Sequence, residues 1–216
     1  MARITWDKTG ERFYETGVSQ GVFYKQVDGT YPVGVPWNGL TAFNESPSGA
    51  EPSPLYADDI KYLNLMSAEE YGYSISSYTY PEEFEECEGV REIAPGVVIG
   101  QQTRVPFGFS CKTLIGNDTK GTEHGYKLHI AYNSLAGVAE KNYTSVNDNP
   151  EAIEFSWECS TTPVEVEGFK PTASLTIDST RVAADKLKQL EDILYGTESE
   201  EARLPLPNEI ADIFAA

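Results

Sequence analysis

Basic residues are scarce in this chain of 216 amino acids. Sixteen Lys and Arg residues stand against 34 Asp and Glu residues, which leaves a formal net charge of −18 at pH 7. Proteins that bind nucleic acid need clustered positive charge to replace the counterions of the phosphates. The composition therefore argues against a phosphate-binding surface, and it suits a protein that must stay soluble or must not adhere to a polyanion.

Cysteine is also scarce, and no apolar run approaches the length of a membrane span. Cys87, Cys111 and Cys159 are too few and too scattered for a disulfide framework, and any pairing leaves one of them over. A reducing compartment is the simpler interpretation, with the three thiols as small buried side chains. The N-terminal residues lack the apolar segment of a secretory signal. We therefore expect a soluble protein without membrane association.

The sequence offers no recognisable catalytic set. It contains neither a GxxxxGK[ST] nor a GxGxxG loop. His124 and His129 are five residues apart, which on one strand places them on opposite faces and prevents joint metal binding. Cys111 and His129 both lie on predicted strands and could form a nucleophilic pair, but no orienting motif accompanies them. We therefore predict no enzyme activity and no catalytic, cofactor-binding or metal-binding residues.

An acidic run, PEEFEECEG, occupies residues 81–89. Clustered carboxylates can bind a metal, but this run lacks the alternating Asp and Asn oxygens and the Gly turn of a calcium loop. An enzyme that used the carboxylates of residues 82–88 for acid–base chemistry would need partner residues, and none is in sight. The favoured interpretation is a solvated acidic rim.

Two-residue alternation of apolar and polar side chains predicts a mainly β protein with antiparallel strands. Residues 57–65 form a strand pattern with apolar side chains on both faces, which predicts a strand that is covered on both sides. In residues 1–36, glycines separate short extended pieces, so this segment is predicted as an N-terminal extended segment. The clearest alternation lies in residues 126–133 and 152–161; further strands are predicted at 71–80, within 93–114 and around 173–177.

Helical spacing appears only near the C-terminus. Ala183, Leu187, Leu190 and Leu194 form one apolar stripe, so we predict a single flanking helix over residues 182–195 that lies on a sheet. Cap oxygens are available at 178–180, and Gly196 is the predicted stop. Ser67 to Glu70 has capping-box spacing but can support only one turn before Gly72. Residues 203–216 are predicted as a C-terminal arm, with one or two helical turns from Asn208.

A proline-rich segment at residues 44–54 interrupts the strand patterns. Its prolines remove backbone donors, and Gly and Ser residues lie between them, so we expect neither helix nor sheet there. A loop of this length is either an idle surface excursion or a binding arm. Its residues are Asn44, Glu45, Ser46, Pro47, Ser48, Gly49, Ala50, Glu51, Pro52, Ser53 and Pro54.

Long runs of this sequence resemble those of one protein family. They include WDKTGERFYETGVSQGVFY, PWNGLTAFNESPSGAEPSPLYADDIKYLNLMSAEE, YTYPEEFEECEG, EIAPGVVIGQQTRVPFGFSCKTLIGND, GYKLHIAYNSLA, FSWECSTTPVEVEGFKPTASLTID and ARLPLPNEI. In consistent order over nearly the full chain, they resemble the major tail protein, or tail tube protein, of long-tailed siphovirus-type bacteriophages and prophages of Gram-positive bacteria.

The resemblance implies a single tail tube domain over residues 1–216, with an antiparallel β-sandwich or half-barrel and one flanking helix. It implies six copies in a ring and rings stacked into a tube that conducts DNA into the host. Segment 44–54 would then be an inter-ring or inter-subunit loop. One polar strand face would line the channel, and the candidates for that lining are Lys127, His129, Glu154, Ser156 and Glu158.

The family also implies partners and a location. The expected partners are further copies of the chain, other tail proteins such as the tape measure, tail terminator and distal tail proteins, and DNA that passes without specific binding. The expected location is the virion tail, after synthesis in the cytoplasm of the host bacterium, and no cofactor is implied. The alternative is a non-catalytic β-sandwich binding module for carbohydrate or adhesion, because three Trp and thirteen Tyr residues could line a sugar-binding groove.

Overall fold

The computed structural model describes residues 3–145 and 152–215. Strands dominate, as the alternation predicts, and every pairing between them is antiparallel. The elements are β1 (Phe13–Lys25), β2 (Gly34–Trp37), β3 (Leu40–Glu45), β4 (Ser48–Gly49), β5 (Pro52–Ala57), β6 (Ile60–Met66), β7 (Glu69–Glu70), β8 (Gly72–Ser77), a 3-10 turn (Glu82–Phe84), α1 (Glu85–Glu88), β9 (Arg91–Ala94), β10 (Val97–Ile99), β11 (Phe107–Asn117), β12 (Gly121–Ala136), β13 (Phe155–Thr161), β14 (Ser174–Asp178), α2 (Ala184–Tyr195) and α3 (Pro207–Ala215).

One main sheet carries the fold, with the order β2-β1-β11-β12-β13-β8-β3, and β14 also pairs with β12. The long strand β12 uses one edge for two partners: residues 127–131 pair with β14, and residues 134–136 pair with β13. The sheet therefore divides into two layers, β2-β1-β11-β12-β14 and β13-β8-β3. Phe43 of β3 stacks on Phe109 of β11 at 5.7 Å between ring centroids, so the second layer folds over the first. The predicted antiparallel sandwich is confirmed.

The core between the two layers is aromatic. Trp37 lies edge-on to Trp157 at 5.5 Å and contacts Phe84 at 4.6 Å, and all three side chains are buried. Edge-to-face contacts of this kind add to the stabilisation that burial provides. The other buried residues of this inner core are Phe23, Tyr73, Ile75, Cys87, Phe107, Phe109, Cys111, Ala131, Ala136 and Cys159.

A second core covers the opposite face of the first layer. Leu128, Ile130 and Tyr132 of β12 point to this side, where α2 and α3 supply the covering side chains Leu187, Leu190, Leu194, Ile210 and Ile213. The Tyr24 hydroxyl donates to the carbonyl of Leu194 at 2.9 Å and so ties the end of α2 to β1. The predicted leucine stripe does lie on a sheet.

The start of α2 differs from the expectation in one respect. Ala183 occupies the N-cap position without a side-chain hydrogen bond to the helix. The predicted cap residue Asp178 instead accepts hydrogen bonds from the backbone N–H (2.9 Å) and the hydroxyl (2.6 Å) of Thr180, in the turn before the helix. The helix stops at Gly196, whose φ of +78° favours glycine, as predicted.

The acidic run 81–89 is not a solvated rim throughout, which corrects that interpretation. Phe84 and Cys87 from this run are fully buried in the inner core. The backbone forms a 3-10 turn followed by the short helix α1. Residues three positions apart lie on the same side of a helix, so both apolar side chains point inward. Glu86 remains at the surface, where Lys25 binds it at 2.6 Å; the hydrogen bond from Lys25 lowers the pKa of this carboxyl.

The two chain ends behave differently. Residues 3–12 precede β1 and are largely exposed, and the Gly10 N–H donates a hydrogen bond to the Asp118 side chain at 2.9 Å. The C-terminal segment, predicted as an arm, packs on its own subunit over residues 203–215: Leu204 is buried and pairs with Tyr31. The expected one or two helical turns form the nine-residue helix α3, so two helices flank the sheet instead of one.

Leu190 offers a test of the helix-covered core. We expect Leu190→Ala to lower the free energy of unfolding by about 2–5 kcal/mol, because a fully buried leucine leaves a cavity when it is truncated. Urea denaturation followed by circular dichroism measures the change. Lys188→Ala on the exposed side of the same helix is the control; its surface ion pair with Asp192 should contribute less than about 1 kcal/mol. Equal losses for both variants would contradict this placement of α2.

Candidate assembly surfaces

The predicted loop 44–54 is part of a projecting β-arm, here defined as residues 46–70. Asn44 and Glu45 are the last residues of β3, Ser48–Gly49 forms β4, and Pro52 begins β5. The stem pairs β4 with β7, and beyond it β5 pairs with β6. The expectation that strands are excluded here is therefore wrong. Residues 67–70, predicted as a helical turn, supply β7 instead.

The strands of the arm tolerate proline because they form a ribbon of only two strands. Pro52 pairs with Met66 and Pro54 with Asn64, so the two prolines are two residues apart on β5. In an antiparallel pair, alternate residues direct their N–H groups away from the partner strand. Their spacing lets both missing donors lie on the open side of the ribbon, where no third strand needs them.

Two aspartates make the tip of the arm. Asp58 and Asp59 have φ values of +51° and +64°, and they join Ala57 of β5 to Ile60 of β6. Positive φ at both central residues is typical of the type I′ turn of two-residue hairpins. The sequence prediction ran a single strand from 57 to 65 through this turn, because Asp-Asp is a weaker turn signal than Asn-Gly or Asp-Gly.

The β5–β6 hairpin is exposed along its whole length but is rich in apolar side chains. Every residue of both strands is exposed, including Tyr56 at 71% and Tyr62 at 69%. The prediction that strand 57–65 is covered on both sides is therefore wrong for the single chain. Contiguous exposed apolar surface on a soluble protein marks an interaction site. The exposed apolar residues of the hairpin are Leu55, Tyr56, Ile60, Tyr62, Leu63, Leu65 and Met66.

A second exposed hairpin, β9–β10, projects from the end of the acidic segment. It pairs only with itself in the described part of the chain. Ile93, Val97, Val98 and Ile99 are all exposed on it. Arg91 at its base donates to the carbonyl of Thr103 at 3.2 Å and so holds the hairpin to the following segment.

The outer face of the second layer, β13-β8-β3, is small and polar. Ser156 lies opposite Ser76 and Glu158 lies opposite Ser74, and the hydroxyls of Ser76 and Ser156 are 3.1 Å apart. Asn44 of β3 donates to Ser74 on the same face. No Lys or Arg lies among the strand residues of this face, which are Ala42, Asn44, Gly72, Ser74, Ser76, Ser156, Glu158 and Ser160.

The five predicted channel-lining residues do not share a face. Ser156 and Glu158 lie on the outer polar face, and Glu154, just before β13, accepts a hydrogen bond from Thr41 nearby. His129 instead pairs with Cys111 of β11, whose side chain belongs to the inner core, and Lys127 lies on the same side of β12. The prediction treated each strand separately, and the alternation of one strand does not say how two strands are oriented in space.

His129 lies beside a cavity of about 280 Å³ at the base of the arm. Its Nε2 is 2.9 Å from the Thr113 hydroxyl, and Glu15 and Glu45 face the same cavity. Burial lowers the pKa of His129, although Glu45 and Glu15 oppose this shift. Lys127, which binds Glu15, lowers the pKa further. The Tyr71 hydroxyl donates to Glu45 at 2.8 Å, so the last residue of β3 and the residue just before β8 are bonded at the base of the arm.

Two of the three tryptophans that motivated a carbohydrate-binding module are internal. Trp37 and Trp157 are buried, and of the three tryptophans only Trp6 is exposed. The Trp157 indole donates to Glu88, which also binds Lys141 at 2.9 Å. Burial lowers the pKa of Lys141, but the hydrogen bonds to Glu88 and Tyr80 outweigh it and raise the pKa. Trp157 and Glu88 therefore have structural partners.

The three cysteines are free thiols in the inner core. Burial raises the pKa of Cys87 and of Cys159 to about 12, so neither supplies a thiolate near neutral pH. Cys111 and His129 are cross-strand neighbours, as the nucleophile hypothesis requires. However, burial also raises the pKa of Cys111, and the His129 ring is bonded to Thr113. The pair is not arranged as an activated nucleophile.

Two absences apply to the described ranges, 3–145 and 152–215. No group of three His, Cys, Asp or Glu side chains there is placed to bind a metal ion. None of the helices in these ranges has the length and hydrophobicity needed to cross a bilayer.

The histidine at the base of the arm predicts a pH dependence. Because burial holds the pKa of His129 below 6.5 in the folded state, the unfolded chain takes up this proton first. Stability should fall as the pH drops below about 6.5, until the folded-state pKa is passed. Titration of the His129 ring protons by NMR gives the folded-state value directly, and His124→Gln identifies its signal. A pKa at or above 6.5 would contradict the burial of this ring.

Comparisons with known proteins concern the fold alone. Neither family profiles nor curated sequences gave a match. One similar solved chain comes from the sheath-tube complex of an extracellular contractile injection system, PVC, in the extended state. It has 11% identity and a TM-score of 0.35 over 81% of this chain and 94% of that one. Another comes from the baseplate of the anti-feeding prophage, with 8% identity and a TM-score of 0.34 over 81% and 97%.

Proposed function

We propose that this chain is a structural virion protein that assembles into stacked hexameric rings and forms the tail tube of a long-tailed phage or prophage. The observation that carries the proposal is the β-arm, whose outer hairpin exposes seven large apolar side chains. A stable monomer gains nothing from such a surface, which invites aggregation. Its presence is accounted for if another copy covers it. The exposed arm supports association in general, and the stacked rings and the tube are proposed from the sequence resemblance to tail tube proteins.

The polar outer face of β13-β8-β3 suits the wall of a DNA channel. Ser74, Ser76 and Ser156 give it short hydroxyl side chains, and Glu158 adds negative charge. Like charges repel over a Debye length of about 8–10 Å at moderate salt, so phosphates do not settle on such a wall. DNA would pass without specific binding. In this proposal Ser156 and Glu158 line the channel and Lys127 and His129 do not.

The remaining partners follow from the proposed place in the virion. Contacts at the two ends of a tube are made by other tail proteins, such as the tail terminator and the distal tail protein, and the tape measure occupies its interior. The chain would be made in the host bacterial cytoplasm and act in the virion tail. Its role is mechanical, and no enzyme activity is proposed.

Replacement of the outer hairpin tests this function. Ser67 N donates to Glu51 O across the stem at 3.4 Å, so an Asn-Gly turn can replace residues 52–66 without opening β4 and β7. We expect a folded subunit with an unchanged near-ultraviolet circular dichroism spectrum, and no tubes by negative-stain electron microscopy. Tyr143→Ser removes an exposed aromatic side chain outside the arm and should still give tubes. The proposal is wrong if the wild-type protein remains a monomer and binds glycans.

Net charge predicts a salt dependence of assembly. Each subunit brings a formal charge of −18, so packing many copies costs repulsion that salt screens. Raising NaCl from about 0.1 M to about 1 M shortens the Debye length from about 10 Å to about 3 Å. Turbidity and tube length should therefore increase across this series, and KCl at equal ionic strength should act alike. Assembly that is insensitive to salt would show that repulsion between subunits is not limiting.

A further inference from the structure

The histidine at the base of the arm has one ring nitrogen without a hydrogen-bond partner. His129 Nε2 is 2.9 Å from the Thr113 hydroxyl, whereas Nδ1 is buried and has no partner in the described part of the chain. In a neutral ring the cost of this is small compared with that of a buried charge without a partner. Protonation turns Nδ1 into a charged donor, so a protonated His129 needs an acceptor.

Two carboxylates line the cavity beside His129, and only one of them lacks a cationic partner. Glu15 of β1 is bound by Lys127. Glu45, the last residue of β3, takes part in no ion pair among the described residues. Burial lowers the pKa of His129, and Glu45 raises this pKa more than any other charged group does. Because a carboxylate accepts a stronger hydrogen bond than a neutral oxygen, Glu45 is the acceptor that the cavity offers to a protonated ring.

Glu45 can accept this bond without releasing the one it already has. Its Oε1 accepts from the Tyr71 hydroxyl at 2.8 Å, and its Oε2 accepts from no group among the described residues. A carboxylate can accept hydrogen bonds on both oxygens at once. Protonation of His129 therefore adds a bond at the base of the arm and breaks none.

The added bond would connect the arm to the first layer. Thr113 lies on β11 and His129 on β12, whereas Glu45 ends β3 and Tyr71 directly precedes β8. The chain between Glu45 and Tyr71 is the arm, residues 46–70. A bond from His129 to Glu45 thus fixes the point at which the arm leaves the sandwich.

We propose that His129, Glu45 and Tyr71 form a proton-dependent clasp: in acid, His129 takes up a proton from solvent and its Nδ1–H donates to Glu45, which fixes the base of the arm to β12. When the ring is neutral this bond is absent, and the arm is held by its flanking strands and the bond between Tyr71 and Glu45. Protonation favours the arrangement that binds the proton more tightly. The clasp is a property of the single chain and holds whether or not the chain forms tubes.

The other titratable groups next to the clasp stay neutral when its histidine titrates. Cys111 is the cross-strand neighbour of His129, and burial raises the pKa of its thiol. Burial and the bonded carboxylate raise the pKa of Tyr71. Since burial holds the pKa of His129 below 6.5, the clasp closes as the pH falls below this value.

Electron–electron double resonance measures the effect on the arm. Nitroxide labels at Ala57→Cys, beside the tip of the arm, and at Lys188→Cys, on the exposed side of α2, report the distance between the arm and the body. The native cysteines are at most 4% exposed and should remain unlabelled. Dilution with excess unlabelled protein removes distances between copies, and sedimentation identifies conditions in which the chain is monomeric.

We expect a broad distance distribution at about pH 8 that narrows in acid, with its midpoint at the pKa of His129 measured by NMR. His129→Gln and Glu45→Gln should each lose this narrowing, and the control His124→Gln should retain it. Glu45 is exposed, so its variant preserves the fold even if replacement of the buried ring does not. A wild-type distribution that does not change with pH, or narrowing that persists in either variant, would overturn the clasp.

NMR of the ring separates a bond from attraction at a distance. Glu45→Gln should lower the pKa of His129 by about 0.5 or more, because a partly exposed ion pair is lost. Below the transition, the wild-type Nδ1–H should give a slowly exchanging proton signal that is absent from Glu45→Gln. An Nδ1–H that exchanges equally fast in both proteins would show that the carboxylate acts only through its field, and the clasp would be wrong.

Discussion

The two-layer structure depends on the backbone of Asn133. This residue has a φ of +46°, and β12 carries one extra residue there relative to β11, since Phe109 pairs with Ala131 but Phe107 pairs with Ser134. Three hydrogen bonds hold the bulge: its N–H donates to the Tyr31 hydroxyl at 2.8 Å, its carbonyl accepts from Thr162, and its side-chain oxygen accepts from Gln26. A strained backbone persists where its surroundings fix it in this way.

The bulge changes which face each later residue of β12 occupies. Ala131 and Ala136 are five residues apart and would lie on opposite faces of a regular strand, but both line the inner core. Before the bulge β12 pairs with β14 under the helices; after it, β12 pairs with β13 and leads into the second layer. The bulge at Asn133 thus lets one strand border both the helix-covered core and the aromatic interior, and it leads the chain into the layer whose outer face, on β13, is polar.

This dependence explains what the sequence could and could not predict. Alternation correctly predicted that Leu128 and Ile130 are buried, because the local period decides burial in a regular strand. It placed them in the sandwich interior, whereas they pack under the helices on the opposite face of the first layer. Alternation could not predict whether His129 and Ser156 lie on the same face of the fold, because the bulge between the two layers decides this. The prolines made β5 look incompatible with a strand, but a two-stranded ribbon has an open side on which a missing backbone N–H donor is not needed. The glutamates of residues 82–88 led to the prediction of a solvated segment. The burial of Phe84 depends on its contact with Trp37, which is distant in sequence.

The arm and the net charge of the chain act against each other. Exposed leucine and tyrosine side chains on β6 favour association, and burying them would contribute about 25 cal/mol for each Å² removed from water. The net charge of −18 opposes the approach of two copies in general, and at contact the local charges decide how strong the repulsion is. Association then succeeds only where apolar contact and local charge both favour it. If the chain assembles as proposed, a strongly acidic body with a few apolar projections favours ordered contacts over aggregation, because charge suppresses the contacts that are not specific.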